Sequence, residues 1–424
     1  MSPRTLLPAL LLLAAACGRP GSHPNVLLIS VDTLRHDRLG FAGYQRPVSP
    51  HLDSLAARGT VFPKAYSQSG WTLPSMATIL TGRYPLEHGA VQLHLGMRRD
   101  LPTLAGILSR EGYETRGYVS HVLLDRRYGF DRGFDAFDAS ILAMGNPERG
   151  STSREMSDLT IEGIAGAKEP FFVWAHYFDP HFEYVRHADW VAFGDGDSDR
   201  YDQEIAFTDQ QIGRLLDALR ASGRSERTLV VFTADHGEEF GEHGGQYHYT
   251  LFDEVLRVPL VIAGPGVPKG RDGRVAEQID LLPTILARLG IDPPPRLPGS
   301  DLFTGGPRKR PVIAIRERPP GFRQAALVDG DRKLVHVEAF DPSGLPPEAQ
   351  AVFSEVVNVI PGTTLYDLRE DPGEKRNLFS RDEAPHQELL RLLAGSLRES
   401  AGPPETVDLS KEDRERLRSL GYAN

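Results

Sequence analysis

Cysteine is almost absent from this chain of 424 residues, which contains a single one, Cys17. One cysteine cannot form an internal disulfide, so the fold must be held together by its hydrophobic core. With 40% hydrophobic and 25% charged residues, the chain has the composition of an ordinary globular protein. Its length is enough for one large domain and a smaller one.

Positive charge is also scarce, because 48 lysines and arginines face 58 aspartates and glutamates, a formal net charge of -10. This balance argues against a general nucleic-acid-binding surface, so we predict no nucleic-acid partner. An anionic substrate would have to meet a local cluster of cations. Arg35, Arg83 and several histidines are candidates for that cluster.

Long apolar runs are missing as well. The apolar segment Leu6–Ala16 follows Arg4 and is broken only by Pro8. It is too short to span a membrane as a stable helix. Its position after a basic residue is typical of an export signal.

The apolar segment ends in Ala14-Ala15-Ala16-Cys17-Gly18, which resembles a lipobox. We therefore interpret residues 1–17 as an export signal and residues 18–24 as a linker. The pattern predicts acylation of Cys17, which would anchor the protein to a membrane of the bacterial cell envelope, facing the periplasm or the exterior. The alternative is a soluble secreted protein cleaved after Ala16.

Short apolar runs alternate with amphipathic helical patterns through the first three hundred residues. The run Asn25–Val31 ends at Asp32, as expected of a strand buried on both faces of a parallel sheet. Further strands are predicted at 113–119, 171–177, 228–234 and 258–263, and helices at 50–58, 73–80, 103–111, 202–219 and 279–289. The alternation predicts an α/β fold whose ligands collect beyond the carboxyl ends of the strands.

The pattern changes after Gly299, where proline-rich turns separate short strands predicted at 312–315, 325–328, 333–337 and 364–368. Two helical patterns follow at 385–400 and 410–420. We predict a catalytic α/β domain over residues 25–305. A smaller C-terminal α+β domain with an antiparallel sheet is predicted over residues 306–424.

Four residues of chemical interest follow predicted strands or begin a predicted helix: Asp32, Thr72, Asp235 and His236. Because the carboxyl ends of parallel strands meet at one edge of a sheet, we expect these side chains to lie close together. Hard divalent ions favour carboxylate oxygens, and an imidazole widens the choice toward manganese or zinc. The four residues therefore predict a site for calcium, manganese, magnesium or zinc.

The segment Gly70–Arg83 resembles the signature of the sulfatase branch of the alkaline phosphatase superfamily, in which an oxidisable Cys or Ser precedes a Pro-Ser-Arg helix start. The matching residues are Pro74, Ser75, Thr81, Gly82 and Arg83. Thr72 stands at the nucleophile position and Met76 at the arginine position. The resemblance implies that formylglycine, which is made only from Cys or Ser, cannot form here. The implied nucleophile is the hydroxyl of Thr72.

The resemblance covers most of the chain and implies a sulfatase-like three-layer sandwich. Asp179-Pro180-His181 is similar to the family loop whose histidine contacts the ester, and residues 244–259 to a segment carrying another such group, here His248. It implies that His181 or His248 protonates the leaving oxygen. Arg35 or Arg83 would orient the anion, or Arg83 would only brace its loop.

Three acidic residues near the predicted metal, Glu238, Glu239 and Glu242, are expected to form a solvated loop, and His243 is a further ligand or a loop residue. Thr72 has a purely structural alternative as the cap of its helix.

The expected function is metal-dependent hydrolysis of a phosphate ester, or phosphate transfer, on a small molecule or an envelope glycan or lipid. Hydrolysis of sulfate esters without formylglycine is one alternative. The other is a catalytically silent protein that binds an anionic polymer, which the absence of Asp at position 33 and of Arg at position 76 favours.

Overall fold

The computed structural model of the protein describes residues 23–141, 151–187, 190–304, 310–345, 350, 360–397 and 402–419. The predicted export signal, Cys17, most of the 18–24 linker and the predicted domain boundary at 305 and 306 lie outside these ranges. None of the helices in the described ranges has the length and apolar character that a membrane crossing requires.

The strands, in chain order, are β1 (Asn25–Val31), β2 (Thr60–Val61), β3 (Lys64–Tyr66), β4 (Leu95–Gly96), β5 (Glu114–Val119), β6 (Ala136–Asp138), β7 (Phe171–Tyr177), β8 (Thr228–Ala234), β9 (Glu239–Phe240), β10 (Gln246–Tyr247), β11 (Arg257–Val258), β12 (Leu260–Ala263), β13 (Gly270–Arg271), β14 (Val275–Glu277), β15 (Val312–Arg316), β16 (Gln324–Asp329), β17 (Arg332–Val337), β18 (Gly362–Asp367) and β19 (Glu405–Thr406).

The α-helices are α1 (Pro50–Ala56), α2 (Thr72–Thr81), α3 (Pro85–His88), α4 (Leu104–Arg110), α5 (Ser153–Gly166), α6 (Asp197–Ala221), α7 (Asp253–Leu256), α8 (Leu281–Leu289), α9 (Ala384–Ser396) and α10 (Lys411–Ser419).

An eight-stranded mixed sheet forms the centre of the large domain, in the order β13-β2-β12-β8-β1-β7-β5-β6. The neighbours β8, β1, β7 and β5 run parallel, with Leu28 opposite both Val231 and Trp174. Every residue of β1, β7 and β8 is buried, as the apolar runs predict. The strand predicted at 258–263 differs, because β12 runs antiparallel to β8.

Helices cover the sheet in two groups. Helices α1 and α5 pack on α6, and helices α3, α4 and α8 pack on α2; α5 of the first group and α4 of the second contact β5. The sheet therefore lies between two helical layers, which confirms the predicted three-layer α/β fold. Helix α5 was not predicted from the sequence.

A smaller, sheet-rich part follows along the chain. Strands β15, β16, β17 and β18 form an antiparallel sheet in that order, against which α9 packs. Its first strand is tied to the large domain, because the N–H of Ile315 donates to the carbonyl of Gln68 at 2.9 Å. This connection brings the small sheet against the loop that precedes Thr72.

Candidate active site

Four adjacent parallel strands deliver polar side chains to one edge of the central sheet. Asp32 follows β1, Asp235 and His236 follow β8, His176 is the penultimate residue of β7, and His121 lies two residues after β5. All five are completely buried. The structure therefore brings together the predicted Asp32, Asp235 and His236, and it adds two histidines that the sequence analysis did not select.

Thr72 is the first residue of α2, and the helix cap is Trp71, so the capping alternative for Thr72 is not supported. The hydroxyl Oγ1 of Thr72 lies 3.5 Å from Oδ2 of Asp32 and 3.4 Å from Nε2 of His236. The helix ends at Thr81 and is capped by Gly82, whose φ of 63° lies in the left-handed region that glycine favours. The N-terminus of a helix carries a partial positive charge, so this placement suits an anion at Thr72.

The two carboxylates have little compensation in their buried setting. Burial raises the pKa of Asp32 well above its usual value, and burial together with the charge of Asp32 does the same to the pKa of Asp235. One oxygen of Asp235 accepts from the backbone N–H of Thr33 at 3.1 Å and of His236 at 2.7 Å. Oδ1 of Asp32 and Oδ2 of Asp235 have no hydrogen-bond partner among the described residues.

Two imidazoles complete a donor set that fits a divalent cation. Ligand atoms of Asp32, His176 and Asp235 lie within 4.8 Å of one another, and Nε2 of His236 lies 3.5 Å from Oδ2 of Asp235. Nδ1–H of His236 donates to the carbonyl of Gly237 at 2.9 Å, which turns the lone pair of Nε2 toward the carboxylates. Burial lowers the pKa of His176 to about 4 and that of His236 to about 3, so both are neutral at pH 7, the form that binds metal.

Three more buried histidines surround this group. Ring centroids are 5.8 Å apart for His121 and His181, 5.3 Å for His181 and His248, and 4.6 Å for His248 and His236. The predicted His181 and His248 therefore lie in the same cluster of histidines as His236, whose Nε2 is 3.4 Å from the Thr72 hydroxyl. Nδ1 of His121 accepts from the N–H of Leu123, so the neutral ring carries its proton on Nε2, 3.8 Å from Oδ2 of Asp32.

The Nδ1 atoms of His181 and His248 each contact a neighbouring oxygen. Nδ1–H of His181 donates to the carbonyl of Phe182 at 2.6 Å, and Nδ1 of His248 lies 3.2 Å from Oε1 of Glu238. Burial lowers the pKa of His181 to about 4 and that of His248 well below its usual value. Glu238 and Glu239 are buried, so the expectation of a solvated acidic loop is wrong for both.

Asp179, which precedes His181 in the Asp-Pro-His loop, has a structural role. Its Oδ2 accepts from the backbone N–H of Thr152 at 3.0 Å and of Ser153 at 2.8 Å, at the start of α5. The carboxylate thereby satisfies N–H groups that a helix start leaves without partners. It fixes the loop that carries His181.

The two arginines predicted to bind substrate make other contacts. Nε and Nη2 of Arg35 donate to Asp37, and Nη1 donates to the carbonyl of Glu238 and to Glu242. Arg83 donates to the carbonyls of Arg296 and Pro295 at 2.7 and 3.3 Å, which corresponds to the bracing alternative. A role of Arg35 in substrate binding remains a prediction.

A second group of potential ligands involves His243, Glu254 and Glu374. Nε2 of His243 lies 3.4 Å from Oε2 of Glu254, and the ring of His243 stacks on Phe252. The completely buried Lys333 places Nζ 2.9 Å from Oε1 of Glu374. The ammonium group of Lys333 therefore already contacts this group of three residues, which we call the His243 group. The predicted ligand His243 lies in it and not with Asp32, His176 and Asp235, which with His236 form the Asp32 group.

A family model described as Sulfatase matches residues 24–291, which is more than half of the chain. The chain belongs to the sulfatase family. Because its members are hydrolases, the protein is a sulfatase-family hydrolase, as the Gly70–Arg83 segment predicts.

Relatives of this sulfatase-family protein match over most of its length. The Escherichia coli protein described as the uncharacterised sulfatase YidJ is 26% identical, over 84% of this chain and 83% of its own. Human arylsulfatase A is 28% identical, over 89% and 88% of the two chains.

Solved structures share the fold. A phosphonate monoester hydrolase from Silicibacter pomeroyi has a TM-score of 0.68 at 22% identity, covering 88% of this chain and 94% of its own. A protein solved with its substrate D-glucosamine-2-N,6-O-disulfate has a TM-score of 0.71 at 19% identity, covering 88% and 97%.

Proposed function

We propose that this sulfatase-family hydrolase cleaves phosphate esters, or transfers their phosphate, through Thr72 and with a divalent cation at Asp32, Asp235 and His236. The observation that carries the proposal is the position of the Thr72 hydroxyl, 3.5 Å from Oδ2 of Asp32 and 3.4 Å from Nε2 of His236 at the start of a helix. Sulfate esters are the alternative substrate class.

A threonine hydroxyl is a weak nucleophile at neutral pH and needs activation. A cation bound by the buried carboxylates would favour the ionised hydroxyl and offset negative charge on the substrate. The residues that would hold it are Asp32, Asp235 and His236, with His176 as a further donor. Oδ1 of Asp32 and Oδ2 of Asp235, which have no hydrogen-bond partner in the described part of the chain, support this assignment.

The chemistry is a displacement in two steps. Oγ1 of Thr72 forms a bond to phosphorus while the bond to the leaving oxygen breaks, and the electron pair leaves with that oxygen. His181 or His248 takes the proton of the hydroxyl and passes it to the leaving oxygen. Water, or a second alcohol, then forms a bond to phosphorus while the bond to the Thr72 oxygen breaks, and the proton that the water or alcohol loses passes through the histidine to the Thr72 oxygen.

His121 would stabilise the negative charge that develops on the phosphate oxygens during the reaction. Its neutral ring carries a proton on Nε2, so it can donate a hydrogen bond to an anionic oxygen without being protonated further. The partial positive charge at the start of α2 acts in the same direction.

The choice of phosphate over sulfate rests on the nucleophile. A formylglycine hydrate can expel sulfate with its second hydroxyl, whereas a threonine ester must be cleaved at phosphorus or sulfur. The fold shared with a phosphonate monoester hydrolase supports chemistry at phosphorus within this architecture.

The test is a matrix of substrates and metals. The purified protein is stripped with a chelator, reloaded with manganese, zinc, magnesium or calcium, and assayed on aryl phosphate monoesters, phosphodiesters and sulfates. After an acid quench, high-resolution mass spectrometry of the peptide containing Thr72 is expected to show bound phosphate. Thr72→Ser is expected to keep activity. Full activity in Thr72→Ala, or a trapped group on another residue, would overturn the proposal, and inactivity with every metal would support the silent alternative.

We also propose that the protein is exported and acylated on Cys17. Expression with labelled palmitate is expected to label the wild type in the membrane fraction and leave Cys17→Ser unlabelled. An unlabelled, soluble wild-type protein would support the secreted alternative.

A further inference from the structure

Two arginines at the end of β15 and just after it contact residues close to Thr72 in sequence or in space. Arg316 is the last residue of β15 and Arg318 follows it, and they are 1% and 5% exposed. Their position is fixed by two hydrogen bonds between β15 and the loop before α2: the N–H of Ile315 donates to the carbonyl of Gln68, and Oγ of Ser69 donates to the carbonyl of Ile315 at 2.8 Å.

Each guanidinium lies against a neighbour of a candidate catalytic residue. Nη1 of Arg316 donates to the carbonyl of His248 at 3.0 Å, and its Cζ is 4.8 Å from the ring centre of Tyr249. Cζ of Arg318 is 5.5 Å from the ring centre of Trp71, the residue before Thr72. The stacked rings hold the flat guanidinium groups in place while leaving them charged.

A short chain of contacts connects Arg316 to the candidate nucleophile. Arg316 bonds the carbonyl of His248, and the ring centroids of His248 and His236 are 4.6 Å apart. His236 in turn lies 3.4 Å from the Thr72 hydroxyl. Arg316 is therefore separated from Thr72 by two histidines that contact each other.

Arg318 is slightly more exposed than the innermost residues of the site. Thr72, Asp32 and Asp235 have no exposure, whereas His248 and Arg318 are each 5% exposed and Tyr249 is 9% exposed. A buried guanidinium stays protonated and favours bidentate contacts with the oxygens of a phosphate.

We propose that Arg316 and Arg318 bind the non-bridging oxygens of a doubly charged phosphate monoester and make the enzyme prefer monoesters to diesters. This inference rests on the proposed function. In the signature helix, position 76 is the uncharged Met76, which is completely buried among apolar side chains. Arg316 and Arg318, at the end of β15 and just after it, would supply the cations instead.

The test measures binding and turnover separately. Dissociation constants of inorganic phosphate are measured by calorimetry on the metal-loaded wild type, Arg318→Met and Arg316→Lys. The ratio of kcat/KM for an aryl phosphate monoester to that for its diester is measured on the same proteins. A charge-assisted hydrogen bond that is lost weakens binding about 10- to 100-fold, so we expect that loss in Arg318→Met, with a smaller one in Arg316→Lys.

Arg288→Met is the matched control, because Arg288 also stacks on an aromatic ring, with Cζ 5.0 Å from the centre of Phe303, and pairs with Asp301. Its phosphate affinity and monoester preference are expected to equal those of the wild type. If Arg318→Met does not fold, Arg318→Lys, which keeps the charge but loses the bidentate geometry, takes its place with an expected loss of about 3- to 10-fold.

Two outcomes separate this inference from the proposed function. Unchanged phosphate affinity and unchanged monoester preference in folded Arg318 variants, or no phosphate binding by an active wild type, would overturn the inference alone. Phosphate binding that depends on Arg318 in a protein without esterase activity would overturn the proposed function and support the anion site.

Discussion

The two groups of potential metal ligands look alike as lists of residues but differ in their charge balance. The Asp32 group contains two fully buried carboxylates with a raised pKa and neutral imidazoles. The His243 group contains Glu374, whose pKa burial raises to about 8, but Lys333 lies within 2.9 Å of it. The comparison teaches that the spacing of ligands does not define a metal site. Buried carboxyl groups that form no ion pair with a lysine or arginine among the described residues are the stronger sign.

The largest expected effect is that of changing Thr72, compared with a second buried threonine, Thr250. Thr72→Ala is expected to lower kcat by about 10,000-fold, because removal of a nucleophile leaves only the residual catalysis of the rest of the site. Thr250→Ala, which removes a hydroxyl bonded to Glu239 at 2.9 Å, is the control and should keep kcat. Steady-state kinetics on the best substrate measures both. Equal losses of kcat in Thr72→Ala and Thr250→Ala would contradict the role of Thr72 as the nucleophile.

Lys333→Met tests whether the His243 group depends on its lysine. The change leaves Glu374 and Asp253 without their buried cation, so we expect the free energy of unfolding to fall by about 3–5 kcal/mol. Lys64→Met is the control, because Lys64 forms an exposed pair with Asp331 at 3.0 Å and its loss should cost less than about 1 kcal/mol. Urea denaturation measures both. Lys333→Met with wild-type stability would show that the lysine does not balance the group.

A divalent cation should bind to the Asp32 group and not to the His243 group. At a concentration of manganese about 100 times its dissociation constant, the wild type should gain about 2.7 kcal/mol of stability. Asp235→Asn should lose this gain, and Glu254→Gln should keep it. Thermal unfolding with and without the ion measures the effect. A gain that disappears in Glu254→Gln and persists in Asp235→Asn would place the ion in the other group.

A pH titration of the unfolding free energy measures how much one buried imidazole outside both groups, that of His88, contributes to the loss of stability in acid. Burial lowers the pKa of His88 to about 3, from an ordinary value of 6.5. As pH falls from 6.5 toward 3, the unfolded chain gains a proton that the folded chain does not, so stability falls with pH. His88→Asn should make this dependence shallower by up to about 1.4 kcal/mol per pH unit. Identical slopes in the wild type and the variant would contradict the assignment.

Much of the central sheet could be predicted from local sequence patterns. The bounds predicted for β1, β7 and β8 match the structure, because strands buried on both faces appear as continuous apolar runs. Asp32 and the Asp235-His236 pair could be selected because each follows such a run. The antiparallel direction of β12 could not be predicted, because an apolar run carries no information about its direction.

The missed residues show where the patterns fail. His176 lies inside an apolar strand, and within the sequence it looks like any core histidine, although β-sheet pairing places it beside Ser30 near the strand end. His121 follows a predicted strand by two residues, so the rule that selected Asp32 could have found it. Helix α5 depends on Asp179, which is distant in sequence, to satisfy its first N–H groups.

The sequence by itself determined the order of strands and helices, the absence of an internal disulfide and the chemical identity of the residue at position 72. Only the tertiary structure decided which histidines face Asp32, which carboxylates are buried and which of them already have a cation beside them. The physical reason is that burial and charge balance depend on side chains that distant segments bring together. In a setting of low polarity, those neighbours set the pKa values on which the chemistry depends.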